Sequence, residues 1–341
     1  MLHEASRITI PFKGNRKWGY PARSLHWQGD ELIDWVGGQV RYFLDKTILP
    51  PQINYAYSFD AALVSSSAEY VVLYQRLGTK GLLLKQGNIL REINRSFYHA
   101  NAYEYPIAFV ELPTGCTGLV HCPDEYCRLE IEDVETGHRL TTRDTTPADF
   151  FHSRFSVSPN GRYLLSAGWL WHPLDYIQLF DIEQALVTPT VLDRGGVWPA
   201  RPGVSIPSAI ATDDGCVFVT ADDDYEENEL DEDELPLAPP GKIVHYLFPE
   251  NKTASCADLQ APAGIIQPFT AGHVISFYQH PAIINIASGQ VIARWEDIRT
   301  GGQKSSIVTQ RDLLVPIAVD PVRMRFAVAS EDEITVIQMD A

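Results

Sequence analysis

FHSRFSVSPNGRYLLSAGWLWHPLDYIQLFDIEQALVTPTVLD, residues 151–193, sets the reading of the whole chain. It divides into strand SRFSVS, turn PNG, strand RYLLSAG, loop WLWHPLD, strand YIQLFDI and strand TPTVLD. The strands are short and rich in β-branched and aromatic residues, and Asn-Gly between two of them is a hairpin signal. The segment reads as a four-stranded antiparallel meander of about forty residues.

The same grammar recurs along the chain. Residues 59–95 hold FDAALVSS, YVVLYQRL, GLLLK and ILREINR, and residues 107–142 hold IAFVELP, GLVHC, CRLEIEDV and RLTTR. Residues 208–259 and 265–297 repeat the pattern, and residues 24–54 follow it more loosely. The last unit, within 306–339, supplies three strands: LLVPIAVD, RMRFAVAS and EITVIQM. A spare strand, RITIPFKG at 7–14, stands at the other end of the chain. A period of roughly 40–45 residues with four strands each is the mark of a β-propeller. The reading is therefore all-β: one domain, 1–341, forming a seven-bladed propeller of four-stranded antiparallel blades. Pairing of the N-terminal strand with the C-terminal blade closes the ring and removes an open sheet edge.

The stretch "FSVSPNGRYLLSAG…IQLFDIEQAL" resembles a blade of the WD-repeat and related bacterial β-propellers. Blades of that family carry SPDG and end the third strand in Trp-Asp. Here Asn160 stands for the Asp and Phe180-Asp181 for Trp-Asp. The Gly-His pair that opens family blades is missing, and the match is confined to 151–193. The resemblance implies a fold and a scaffolding habit, not a reaction.

The chain carries 27 basic and 44 acidic residues, a formal charge of −17. Ten of the carboxylates fall in DDDYEENELDEDE, residues 222–234, where there is no Lys or Arg. This balance argues against nucleic acid or an anionic membrane surface and favours a basic protein partner, if any. With no signal-like apolar stretch at MLHEASRITIPFKG, and with five cysteines, an odd number, the expectation is a cytoplasmic protein with reduced thiols. Cys116, Cys122 and Cys127 lack the spacing of a zinc site.

In a propeller blade, the loop joining the second and third strands shares a face with the loops joining consecutive blades. By this parse the acidic insertion 222–241 and WLWHPLD, 169–175, lie side by side on one rim. The inter-blade loops expected there are SFYHANAYEYP (96–106), DTTPADFFH (144–152) and RGGVWPARPGVSI (194–206), while the opposite face has tight polar turns. Function concentrates on elaborated loops, and Tyr and Trp supply contact area at low entropic cost. Candidate partner-binding residues are Asp222, Asp223, Asp224, Tyr225, Glu226, Glu227, Trp169, Trp171, His172, Trp198, Tyr98 and Tyr103. The competing reading makes the aromatics plugs between blades and the acidic run a solvated loop. Its carboxylates repel one another by about 1 kcal/mol per neighbouring pair in water-like dielectric, so it stays extended when free. Trp169 and Trp171 alternate along a possible strand, so one of them points inward. An EF-hand reading of the acidic run fails because Glu227 stands where the loop wants Gly.

No GxSxG, HExxH, P-loop or GxGxxG motif occurs. The expected function is a non-enzymatic binding scaffold needing no cofactor, with an inhibitor or immunity-type protein for a cationic target as one concrete version. The alternative is a metal-dependent hydrolase or lyase in the central channel, with His121, His152, His172, His245 and His280 as the histidines that would have to converge.

Overall fold

A computed structural model describes residues 2–12, 21–171, 174–194, 204–222, 238–307 and 315–340. Among them stand seven antiparallel sheets, six of them meanders whose strands are hydrogen-bonded in sequence order and the seventh completed by the N-terminal strand. They follow the chain as blade 1 (His26–Gln28 to Ile48–Leu49), blade 2 (Ala61–Val64 to Asn88–Asn94), blade 3 (Ile107–Glu111 to Glu130–Asp133), blade 4 (Phe155–Val157 to Leu174–Asp181), blade 5 (Ser208–Thr212 to Lys252–Asp258) and blade 6 (Ile266–Thr270 to Val291–Arg294). Blade 7 combines Ile317–Asp320, Arg325–Ala329 and Glu333–Asp340 with the N-terminal strand His3–Pro11 as its outermost member. That strand pairs antiparallel from His3 opposite Asp340 to Pro11 opposite Glu333, so the expected closure is present and begins a few residues earlier than the sequence suggested.

Both faces of each blade are buried, which explains why strands such as YVVLY and YLLSAG read as continuous apolar runs. Side chains alternate between two cores. In blade 2, Val71 and Leu73 pack toward blade 1, whereas Tyr70 and Val72 pack toward blade 3. In blade 4, Leu164 and Phe180 pack toward blade 3, and Leu165 and Leu179 toward blade 5. One apolar cluster fills each gap between successive blades, and the cluster joining blades 7 and 1 contains Ile10 and Phe12 from the N-terminal segment. The ring is held shut by core as well as by backbone pairing.

The turns behave as their residues require. At Ser158–Tyr163 the Ser158 N–H donates to the Tyr163 carbonyl at 2.9 Å, and Gly161 takes φ +73°, a region costly for other residues. Asn160 secures the turn to blade 5, its N–H donating to Asp213 Oδ1 at 2.8 Å.

Two blades lack a full outer strand. In blade 3, RLTTR contributes only an isolated bridge, Glu132 with Arg139. In blade 4, TPTVLD is not a strand: Ile182–Val187 forms a helical turn and Pro189–Asp193 a 3-10 turn. Asp181 caps the helix by accepting from the Gln184 N–H at 3.0 Å, and Pro189 stands at the start of the following turn, where a missing N–H costs nothing. Ile182, Ala185 and Leu192 bury themselves in the core between blades 3 and 4, which substitutes for strand pairing. A buried ion-pair cluster ties the two irregular edges together. Arg143 donates to Asp193 at 2.7 Å and lies 3.4 Å from Glu130.

Candidate functional site

The strand order puts second-to-third loops and inter-blade loops on one face, and the contacts across them bear this out. The loop before blade 4 meets that blade's central hairpin through paired hydrogen bonds, Phe151 N–H to Trp169 O at 2.9 Å and Trp169 N–H to Phe151 O at 3.1 Å. WLWHPLD is a hairpin extension, not a loop: strands Tyr163–Leu170 and Leu174–Asp181 pair through Leu170 and Leu174, leaving only the tip beyond them. Gly168 allows the close approach; a Cβ there would lie 2.0 Å from the Phe151 carbonyl oxygen.

Around this junction the aromatic side chains converge. The Phe151 ring lies between Tyr126, centroids 4.1 Å apart, and Trp169, 4.0 Å, in a stacked arrangement. Tyr98 stacks on Tyr126 at 5.1 Å, and Trp171 meets the edges of Phe151, Trp169 and His99, each at 5.3 Å. Offset and edge-on ring pairs add about 0.5–1.5 kcal/mol each beyond burial. The outer layer is exposed: Phe97 to 86%, Tyr98 to 42% and Trp171 to 41% of its surface. Tyr126 donates from its hydroxyl to the exposed Asp149 carboxylate at 2.6 Å. The structure thus presents an aromatic rim with the Asp149 carboxylate beside it.

Arg95 sets the shape of the Phe97–Tyr103 loop. Its buried guanidinium donates to the carbonyls of Gly78, Arg76, Ala100, Tyr103 and Glu104 at 2.7–3.3 Å, and stacks over the rings of Tyr103 and Tyr105. A side chain with five donors in a fixed fork is suited to gathering the carbonyls of an irregular loop.

Several sequence assignments are thereby corrected. Tyr103 is fully buried and Trp169 nearly so, because both support the rim from beneath; neither is available to touch a partner directly. Of the alternating pair, Trp169 points inward and Trp171 outward. Tyr98 and Trp171 are together on the rim. Asp222 is exposed at the start of the acidic insertion in neighbouring blade 5, and the stem closes behind it through Gly241 N–H to Ala221 O at 2.9 Å. The far end is anchored, with Ala238 fully buried and Thr220 Oγ1 donating to Pro239 O at 2.8 Å. Asp223, Asp224, Tyr225, Glu226, Glu227, His172 and Trp198 lie outside the described residues.

Sequence reasoning missed Tyr126, His99 and a crossing segment. Tyr126 sits in an ordinary-looking blade 3 loop whose only signal is an aromatic between strands. The crossing segment is Thr300–Ile307, in the connection from blade 6 to blade 7. Gly301 bridges to Gln279, Ser306 N–H donates to Asp175 Oδ1 at 2.8 Å, its hydroxyl donates to Gly168 O at 2.8 Å, and Ile307 bridges to Tyr103. Because blades 6 and 7 stand across the ring from blades 2 to 4, this segment spans the mouth of the central channel.

Beneath it lies a cavity of about 460 Å³, lined by residues from the innermost strand of every blade, among them His26, Leu63, Phe155, Ile210, Ile266 and Val319. Arg76, Glu104 and Arg154 line its upper end. A second cavity, about 490 Å³, opens on the opposite face between the turns of blades 5 and 6, with His245 and His273 in mainly apolar walls. His245 Nε2 lies 3.0 Å from Asp214 Oδ1.

The histidines of the metal reading go separate ways. His121 Nε2 stands 3.1 Å from Glu132, His152 Nδ1 3.1 Å from Ser166 Oγ, and His280 Nδ1 2.9 Å from the Ile298 carbonyl. Among the described residues no three His, Cys, Asp or Glu side chains gather as a metal set. Cys122, Cys127 and Cys216 are buried, Cys116 and Cys256 exposed, and all five are free thiols. Among the described residues no helix is long and apolar enough to cross a membrane.

No family model matches the sequence, and no curated protein matches it. Among solved structures, a chain of Kuenenia stuttgartiensis hydrazine synthase superposes with a TM-score of 0.56 at 11% identity, covering 96% of this chain and 98% of that one. In all, 936 solved chains match. A likeness so widely shared and so low in identity establishes the propeller fold and leaves the function to the site.

Proposed function

We propose that the chain is a non-enzymatic binding scaffold that holds a basic protein on the rim formed by Phe97, Tyr98, His99 and Trp171, with the acidic insertion beside it. The observation that carries this reading is the exposure of Tyr98 and Trp171, both against the Phe151 ring, with exposed Phe97 next to Tyr98 in the chain, over a stacked base of Tyr126, Phe151 and Trp169. Aromatic anchors held rigid by a packed second layer lose little entropy on binding. Asp149 at the rim is a carboxylate and the sequence 222–234 adds ten more, so a cationic partner surface is the complementary one. An inhibitor or immunity-type role, in a cytoplasmic setting, is the concrete form of this proposal.

The test compares three baits: the intact chain, a Phe97→Ala/Tyr98→Ala/Trp171→Ala variant, and a chain in which residues 223–237 are replaced by a short Gly/Ser linker. Ala238 is retained because it belongs to the core. A basic protein bound stoichiometrically by the intact chain, lost with the triple variant and bound more slowly and less salt-sensitively by the linker variant, supports the proposal. Equal capture by the intact chain and the triple variant refutes it.

A further inference from the structure

The upper end of the central channel gathers charged side chains without pairing them directly. Arg76 lies in the turn after the second strand of blade 2, Glu104 in the loop before blade 3, and Arg154 precedes the first strand of blade 4. All three converge on the cavity beneath the crossing segment. Among the described residues, neither the Arg76 guanidinium nor the Glu104 carboxylate makes a side-chain hydrogen bond or an ion pair. Arg154 Nη2 donates to the Pro207 carbonyl at 2.6 Å, while its Nε and Nη1 are shielded from water and have no partner among the described residues. Burial lowers the Arg154 pKa, and the charges of Asp175 and Glu104 only partly oppose that effect. At Arg76 burial is the largest single influence and acts in the same direction, but Glu104, Tyr74 and Asp60, the last outside the cavity wall, together outweigh it and the pKa is raised.

Buried polar groups are nearly always satisfied, and one left without a protein partner needs an ion, water or ligand. Of the three charged side chains in the cavity wall, two are guanidiniums and one is a carboxylate, so the wall carries one net positive charge. His26 adds nothing, since burial lowers its pKa to about 4 and keeps it neutral. Asp175, the other carboxylate near Arg154, is outside the cavity wall and accepts from the Ser306 N–H. Guanidinium is the group best matched to carboxylate and phosphate oxygens. The cavity volume of about 460 Å³ falls in the range of small-molecule sites.

We infer that the central channel is a binding site for a small oxyanion, a carboxylate or a phosphate, held by Arg76 and Arg154 beneath the crossing segment. The inference is independent of the rim. Glu104 limits the charge of the site, so its removal strengthens anion binding, a change of opposite sign to the damage expected from a merely structural role.

The experiment is calorimetric titration of the full chain, in chloride-free buffer, with inorganic phosphate and separately with succinate. Saturable binding of either supports the inference and names the oxyanion: phosphate alone marks a phosphate site, succinate alone a carboxylate site, both a site for the shared chemistry. Arg76→Gln and Arg154→Gln each weaken it at least tenfold, and Glu104→Gln tightens it at least threefold. Where an arginine variant melts early, phenylglyoxal labelling of Arg76 in the unmodified protein, slowed by the saturating anion, replaces it. Absence of saturable binding of both anions overturns the inference, as does binding that Glu104→Gln leaves unchanged or weakens.

Discussion

Replacing Gly168 by Ala tests the junction on which the aromatic rim is built. The new Cβ would lie 2.0 Å from the Phe151 oxygen and 2.7 Å from Phe150 Cε1. Ordinary contact begins at 3.4 Å and real Cβ atoms essentially never come within 3.0 Å, so the loop must withdraw by about an ångström or more. Withdrawal breaks the reciprocal bonds between Phe151 and Trp169 and disturbs the Ser306 bond to the Gly168 carbonyl. Two or three hydrogen bonds at about 1 kcal/mol each, with overpacking of the Phe150 and Phe151 rings at about 1 kcal/mol or more, give a loss of ~3 kcal/mol. For 341 residues, at about 2.1 cal/mol/K of unfolding entropy per residue, the total is about 0.7 kcal/mol/K, so Tm falls by about 4 °C. Calorimetry reads the shift, and tryptophan emission reports whether Trp169 and Trp171 become more solvated. Gly272→Ala is the control, since nothing lies within 4 Å of a Cβ there. A Gly168→Ala Tm within 1 °C of the parent, with unchanged emission, refutes the reasoning.

Other expectations follow from the same structure. Deleting residues 2–11 uncovers the Glu333–Asp340 edge and removes fully buried Ile10, so light scattering shows concentration-dependent association and the melt moves down by several degrees. Arg95→Met deprives five carbonyls of a charged donor; after allowance for the guanidinium's own burial, urea denaturation registers a loss of about 3–5 kcal/mol, and amides of residues 96–103 exchange faster. Burial depresses His152 to about 3 and His26 to about 4 in the folded state. Because the unfolded chain takes up these protons near pH 6.5 and the native chain does not, stability is full above that pH and declines as pH falls toward 4. Each histidine contributes about 2 kcal/mol of loss between pH 7 and 5, and His152→Asn flattens a urea-measured profile by about half.

The propeller was legible because blade strands buried on both faces keep a simple grammar. Apolar runs alternate with Asn-Gly, Asp-Gly and Ser-Gly turns, and the period survives wide variation in loops. The closing strand was legible from arithmetic, one strand short at one end and one over at the other. The blade 4 outer edge misled because TPTVLD has β-branched residues in strand spacing, while its true conformation is set by the Asp181 cap, Pro189 and the pull of the neighbouring core on Ile182, Ala185 and Leu192. The aromatic face was legible as loop composition, yet composition does not say which ring is base and which is surface. Tyr103 and Trp169 were placed outside because burial there depends on Tyr126 and Phe151 arriving from other loops. The channel charges were not legible at all: Arg76, Glu104 and Arg154 are isolated in sequence, and only the docking of blades 2, 3 and 4 side by side brings them to one wall.

The Thr300–Ile307 segment bears on how the ring is made. The seven cores join neighbours only, and a chain built that way assembles by accretion, each blade docking on the one before. Ser306 and Asp175 are separated by 131 positions, and their bond forms only when both halves of the circle exist. This segment is therefore expected to act as a latch thrown late in folding. Until it is thrown, the channel stays open at that mouth, and a ligand lodged there would be shut in by the final step of assembly.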